Sequence, residues 1–374
     1  VKVAILSDCY LPRLGGIEVQ VHDLATRLVT AGHAAEVFTA TAGPAGERGG
    51  HVEVIDGVRV HRMAIPLPGG VPVNPLAPPE VARRLREGGF DVAHVQMGVV
   101  SPFATDMARV ALSVGLPTAV TWHCVLGVSR PLFAALGSAR RWARSGAALS
   151  AVSSMAAARV ADIAGGADVR VLGDGIDAAR WAPSVPRMPS ADGVVRVTSA
   201  LRLARRKRPG AIVDVLDRAR RLLPADVGLE AHVFGDGPQR PVLQSRLRAR
   251  GMSSWVHLRG RVSREELREA HHGADAYLSP ARLEAFGIAA LEARTAGLPV
   301  VARAGTGVED FVTDGVGGLL ADDDEGLARA LVRLATDTDL RVAIARHNAT
   351  VPPPQDWPAV VEATLAEYRR AGAP

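Results

Sequence analysis

Cysteine is scarce in this chain of 374 residues: there are two, which excludes a disulfide scaffold and a four-cysteine zinc site. Aromatic residues make up only 4%, too few stacking platforms for a protein that binds single-stranded nucleic acid. No uncharged apolar run of about 18 residues occurs, so no membrane-spanning helix is expected. Val1–Ser7 reads as a buried strand rather than as a signal peptide, and the expectation is a soluble, cytoplasmic protein. Lysine is almost missing too. Of 44 basic residues only Lys2 and Lys207 are lysine, and Lys207 stands inside the run Arg205-Arg206-Lys207-Arg208.

What is present is an ordinary globular balance, 48% hydrophobic and 22% charged. At about 100–200 residues per domain the length suits two domains. A net charge of +5 suits an anionic partner: a nucleotide, a phosphorylated substrate or an acidic membrane face.

Short apolar runs alternate with amphipathic stretches in the first half. Strands are expected at Val1–Ser7, Ala35–Ala40, Asp91–Gln96, Thr118–His123 and Ala148–Ser153, with an extended pair, Val52–Met63, around Asp56-Gly57. Helices are expected at Ile17–Gly32 and near 79–88, 102–115, 131–145 and 154–164. Strands apolar on both faces and separated by helices indicate parallel β-α units. Residues 174–193, interrupted by Pro183, Pro186 and Pro189, read as a linker. The alternation restarts with Val194–Ala200, Leu229–Phe234, Trp255–Leu258, Ala274–Leu278, Pro299–Ala302 and Gly318–Ala321. Pro352-Pro353-Pro354 precedes a terminal helix near 358–371. The domains are therefore 1–180, 190–355 and a C-terminal helix, 356–374, that returns to the first domain. Ligands of such sheets bind beyond the carboxyl ends of the strands, and an inter-domain cleft is the expected site.

Four stretches carry chemistry. After the first strand, Asp8-Cys9-Tyr10 leads to Gly15-Gly16, which opens a helix; paired glycines let backbone N–H groups approach a phosphate, or simply make a tight loop. The spacing is not the G-x-G-x-x-G dinucleotide fingerprint. His123 ends its strand, where a histidine serves either as a ligand contact or as a structural group, whereas His94 lies inside its strand and reads as core. Arg202 and Lys207 share one loop after Val194–Ala200 and can grip a diphosphate from two sides, Arg as a planar fork and Lys as a point charge. Arg205, Arg206 and Arg208 read as solvated.

The strongest constellation runs from Ser279-Pro280 through Glu284, Gly287 and Ile288 to Glu292, ending at Gly297-Leu298-Pro299. Gly287 and Ile288 would aim N–H groups at an anion, with the helix dipole behind them. The two glutamates would accept hydrogen bonds from sugar or ribose hydroxyl pairs. Gly235-Asp236-Gly237-Pro238 reads as a turn into a helix, and Gly260-Arg261-Val262 could present backbone to a base.

These motifs, in this order, resemble the retaining GT-B glycosyltransferases of family 4 over nearly the full length. Glu284 and Glu292 match the family's paired glutamates, Arg202 and Lys207 its phosphate clamp, Gly15-Gly16 its N-terminal loop, His123 its active-site histidine, and 235–238 its Gly-Asp-Gly-Pro turn. The resemblance implies an α/β fold of two Rossmann-like, doubly wound parallel-sheet domains facing across a cleft. It implies metal-independent transfer of a hexosyl group from a UDP- or GDP-sugar to a hydroxyl, with retention by front-side attack and no cofactor. Glu284 would hold the donor sugar, Glu292 the ribose, Arg202 and Lys207 the diphosphate. Gly15, Gly16, Gly287 and Ile288 would add N–H donors, with Arg261 and Val262 near the base. His123 would contact the sugar, with Asp8 and Tyr10 on the acceptor side. Two departures stand out: Leu201 replaces the glycine before the clamp arginine, and Asp174 replaces the usual Asn of a linker motif. The first bears on how closely backbone meets phosphate; the second is expected to affect only the linker.

Similar enzymes act on inositol lipids, inositol phosphate, small metabolites or glycans, so the acceptor is open among these. The basic stretch from Arg130 to Arg144, with Phe133 and Trp142, fits an exposed helix with a buried apolar face, or a weak peripheral contact with an anionic leaflet. Rival readings are a sugar-nucleotide epimerase or phosphorylase on the same fold, and a non-catalytic sugar-nucleotide-binding protein.

Overall fold

A computed structural model describes residues 1–13, 15–67, 71–127, 130–184 and 192–374, without the side chains at 130 and 132. The chain divides into two units. Val1–Gly175 and Trp357–Pro374 form the first, and Ile176–Asp356 the second. The passage between units thus lies at Gly175/Ile176, at the start of the 174–193 stretch read as a linker. Pro186 and Pro189, on which the linker reading drew, lie outside the described residues.

Unit 1 runs β1 (Lys2–Ser7), α1 (Gly16–Thr30), β2 (Ala34–Thr39), β3 (His51–Ile55), β4 (Val58–Arg62), α2 (Ala77–Glu87), β5 (Val92–Met97), α3 (Pro102–Ser113), β6 (Thr118–Trp122), α4 (Arg130–Leu136), α5 (Ser138–Arg144), β7 (Ala148–Ala151), α6 (Ser154–Ile163) and β8 (Val169–Val171). Its sheet has the order β3-β4-β2-β1-β5-β6-β7-β8, parallel except for the β3–β4 hairpin. Asp56 and Gly57 both take positive φ in that hairpin, 48° and 79°, as the tight turn between twisted strands requires. β8 escaped the sequence reading because three residues carry too little pattern.

Side-chain alternation divides the core of unit 1 into two layers. Val3 and Ile5 of β1 face one side, packed with Val21 and Leu28 of α1 and with Trp357 and Tyr368. Ala4 and Leu6 face the other, with Phe103 and Met107 of α3.

Unit 2 runs α7 (Ala178–Trp181), β9 (Val194–Ala200), α8 (Pro209–Leu222), β10 (Gly228–Phe234), α9 (Arg240–Ala249), β11 (Val256–Gly260), α10 (Arg264–His272), β12 (Ala276–Ser279), α11 (Ile288–Thr295), β13 (Val300–Arg303), β14 (Gly318–Ala321), α12 (Asp324–Thr336) and α13 (Thr338–Thr350); α14 (Trp357–Arg370) then belongs to unit 1. The sheet order is β11-β10-β9-β12-β13-β14, parallel at every described pairing. Val195 and Val197 pack under Ile212 and Leu216 of α8 and Leu327 and Leu331 of α12. In each unit the order reverses beside its first strand, between β1 and β5 and between β9 and β12. Loops leaving those strands diverge to opposite faces and open a crevice, the usual ligand position in such sheets.

Candidate functional site

The crevice of unit 2 brings together the residues that the sequence singled out most strongly. Beyond β9 the chain makes a 3-10 turn, Arg205–Lys207, and beyond β12 it makes the loop that carries Glu284. Lys207 Nζ donates to Glu284 Oε2 at 2.6 Å, with the two side chains 23% and 16% exposed. Arg202, on the same loop, is exposed.

Backbone geometry holds both loops. Gly287, ahead of α11, has φ 101°, a left-handed conformation natural to glycine, and a Cβ there would lie 2.9 Å from Val308 Cγ2. Phe286 is buried beside it, so the helix starts at a fixed point with half-buried Ile288 next in line. As at every helix start, the first N–H groups lack intrahelical partners and carry the positive end of the dipole. Glu292, one turn further on, is buried. Gly235, φ 111°, packs against the clamp loop so closely that a Cβ would overlap the Leu201 carbonyl oxygen. Leu201 N–H donates to Phe234 O, Leu203 N–H to Asp236 O and Gln239 N–H to Leu203 O. The Gly-Asp-Gly-Pro turn is therefore the support of the Arg202 loop.

Arg208 differs from its expectation as a solvated residue. It forms a fork on Asp324, at 3.0 and 2.7 Å, and also donates to the Pro280 carbonyl at 3.0 Å. This ties the loop after β9 to the loop after β12. Arg205 and Arg206 are exposed, as expected. Arg261 is exposed and Val262 half-buried, past the end of the edge strand β11 and two strands from β9.

In unit 1, His123 follows β6. Its Nδ1 lies 3.0 Å from Asp174 Oδ1 and its Nε2 2.5 Å from Gln96 Oε1; His123 and Asp174 side chains are 9% and 7% exposed. Both ring nitrogens are thus engaged inside unit 1. This corrects the view of Asp174 as a linker residue, and it leaves no ring nitrogen of His123 free for a sugar in this conformation. Gln96 and Asp174 were missed. The available signal for Gln96 was a polar residue near the end of the apolar strand Val-Ala-His-Val-Gln-Met. His94 is buried between Tyr368 Oη, at 2.9 Å, and Thr121 Oγ1, at 2.7 Å, and burial pulls it down to about 3.

The remaining residues of unit 1 give a mixed result. Gly15 and Gly16 are exposed at the start of α1, but the Glu18 carboxylate folds back over Gly15, 3.3 Å from Arg13 Nε. Tyr10 is fully buried with its hydroxyl on His22 Nδ1 at 2.8 Å, so its expected acceptor contact is corrected to a core role. Asp8 is likewise buried rather than open: Oδ1 accepts the Phe103 N–H at 3.0 Å, at the start of α3. Burial pushes its carboxyl up to about 6, against the lowering effect of hydrogen bonds from Ser101 and Phe103. Cys9 and Cys124 are not joined in a disulfide, and burial pushes Cys9 up to about 11. Neither group's chemistry was visible from sequence, because burial is a property of the folded chain.

The basic helix expected over 131–145 splits at Gly137, φ 62°, into α4 and α5. Trp142 is buried in the core and Phe133 packs against it, so these two aromatic side chains are turned inward. Among the described residues no helix is long and apolar enough to cross a membrane, and no cluster of three or more His, Cys, Asp or Glu side chains could hold a metal.

Residues 14–180 match the family model for Glycosyltransferase Family 4, and residues 189–350 that for Glycosyl transferases group 1. The chain is 29% identical to a GDP-mannose-dependent alpha-mannosyltransferase of Mycobacterium tuberculosis, over 98% of this chain and 96% of that one. It is 28% identical to the phosphatidyl-myo-inositol mannosyltransferase of Mycolicibacterium smegmatis, over 95% and 90%, and 28% identical to a D-inositol 3-phosphate glycosyltransferase of Kineococcus radiotolerans, over 96% and 91%. Among solved structures, Anabaena HepE in complex with UDP superposes with a TM-score of 0.74 at 18% identity, over 98% of this chain and 99% of that one; this likeness is one of fold.

Proposed function

Because the chain belongs to the group 1, family 4 glycosyltransferases and carries their GT-B fold, we propose that it moves a hexosyl group from a nucleotide-diphosphate sugar to a hydroxyl acceptor, with retention and without a metal. The observation that carries this reading is the Lys207–Glu284 pair at the switch point of unit 2, beside the start of α11. A diphosphate is the stronger partner for an ammonium group. On donor binding it takes Lys207, and Glu284 is released to accept hydrogen bonds from the sugar hydroxyls. Arg202 adds a planar fork from the same loop, and the α11 N–H groups add fixed dipoles. These groups stabilise the charge that develops as the nucleoside diphosphate leaves, the role a divalent ion would otherwise fill.

Glu292, buried within α11, suits the ribose hydroxyls. Glu284, engaged by the sugar hydroxyls, is not the nucleophile in this reading, which favours front-side attack in which a donor phosphate oxygen takes the acceptor proton. The mannosyltransferase and inositol-phosphate relatives make GDP-mannose the first donor to try and an inositol-bearing acceptor the first partner.

The test is a panel of UDP-, GDP- and ADP-sugars read by thermal shift and by release of nucleoside diphosphate. One donor should stabilise the protein by RT ln(1 + [L]/Kd) and be turned over. A panel that neither shifts nor hydrolyses would overturn the reading.

A further inference from the structure

We propose that Asp174 is a positioning residue that locks the His123 imidazole in one tautomer, with the proton on Nδ1. An ionised carboxylate has only acceptor sites, so the 3.0 Å contact to Asp174 Oδ1 requires a proton on Nδ1. On the other side Gln96 holds Nε2 at 2.5 Å. Its amide serves either way round, as acceptor of an Nε2 proton or, turned over, as donor to an Nε2 lone pair. Gln96 therefore does not choose the tautomer, and Asp174 does.

The carboxylate is itself held in place. Gln20 of α1 brackets the next residue, donating from Nε2 to Gly175 O at 3.0 Å and accepting the Gly175 N–H on Oε1 at 2.9 Å. Trp357 of α14 closes the other side, and a Cβ at Gly175 would lie 2.5 Å from its ring. Two elements of the same unit thus fix the backbone beside Asp174. A small cavity of about 20 Å³ adjoins the cluster, lined in part by Gln96, His123, Asp174 and Thr364, room for about one water molecule. Removing the carboxylate would therefore admit water to a ring that has lost its only obligate acceptor.

The functional side of this proposal rests on the glycosyltransferase reading and on the sugar contact that the resemblance implies for His123, a contact for which Gln96 must give up Nε2. The donor is held by unit 2 in that reading. Loss of Asp174 should then lower kcat by about 10- to 100-fold through misplacement of His123, and leave the donor KM unchanged within about twofold. Asp174→Asn should lower kcat as well, because its amide, like that of Gln96, serves either way round and is no obligate acceptor. If Asp174→Ala does not fold, this isosteric variant carries the test.

The decisive readout is the imidazole ¹⁵N spectrum, with the His123 signals assigned by His123→Asn. The wild type should show a protonated Nδ1, and Asp174→Asn and Asp174→Ala should each shift toward the Nε2–H form. An unprotonated Nδ1 in the wild type, or an unchanged tautomer in both Asp174→Asn and Asp174→Ala, would each overturn the proposal. The spectrum needs no substrate. If no nucleotide sugar is turned over, the glycosyltransferase reading fails and the tautomer is still decided.

Discussion

The polar centres of the two units differ in how they are satisfied. In unit 1, His123 is enclosed by Asp174 and Gln96, with little solvent access. In unit 2, Lys207 and Glu284 meet in a half-open crevice and satisfy each other. The enclosed cluster is set before any ligand arrives. The second pair is more open, at 23% and 16% exposed against 9% and 7%, and is easier to exchange for a better partner. Preorganisation suits a group that must hold one geometry, whereas exchangeability suits a grip on a charged leaving group.

The comparison breaks most sharply at Lys207. Lys207→Ala should lower turnover about 10²- to 10³-fold, near 3–4 kcal/mol of transition-state stabilisation, while the melting temperature stays within about 2 °C of wild type. Steady-state kinetics and a thermal scan check both halves. A large loss of stability would mean that the pair is structural, and the contrast with unit 1 would vanish.

Asp8 sharpens the other side of the comparison. Its folded pKa, near 6, stands above the ordinary 3.8, so the unfolded chain loses this proton first as pH rises. Stability from this group is complete below about pH 4 and is lost on going up through pH 6, by about 3 kcal/mol. Asp8→Asn should remove that slope. Urea unfolding of both proteins between pH 4 and 7 gives the test; parallel curves would show an accessible Asp8. His94 acts with the opposite sign: held near 3 against an ordinary 6.5, it contributes stability above about pH 6.5 that is lost as pH falls toward 3.

Gly235 gives the smallest expected effect. Gly235→Ala forces a Cβ toward the Leu201 carbonyl and must displace the clamp loop. Donor affinity should weaken about tenfold, near 1.4 kcal/mol, with His123 spectra unchanged. Isothermal titration with the best donor of the panel measures it; unchanged affinity would separate the turn from the Arg202 loop.

Much of the fold was legible before any coordinates. Val194–Ala200 and Gly318–Ala321 are strands with the expected bounds, and the Asp56-Gly57 turn joins β3 to β4, because apolar runs and positive-φ turn residues are local signals. Gly137 was missed: the helix expected over 131–145 breaks there at φ 62°, and a single glycine within a helical pattern does not by itself announce a break. Tyr10 and Asp8 were placed on the acceptor side by their loop, and only packing shows that both are enclosed. Asp174 was the largest miss, since nothing local in Asp174-Gly175-Ile176-Asp177 points to a histidine 51 positions away in the chain.

The amino-acid order by itself determined the β-α rhythm, the glycines that start and stop helices and the family to which the motifs belong, since each depends on neighbours within a few turns of chain. Tertiary structure alone decided that Lys207 meets Glu284, that Arg208 is tied to Asp324 and that His123 is held by Asp174. Those pairings join residues far apart in the chain, and their electrostatics depend on the burial that folding creates.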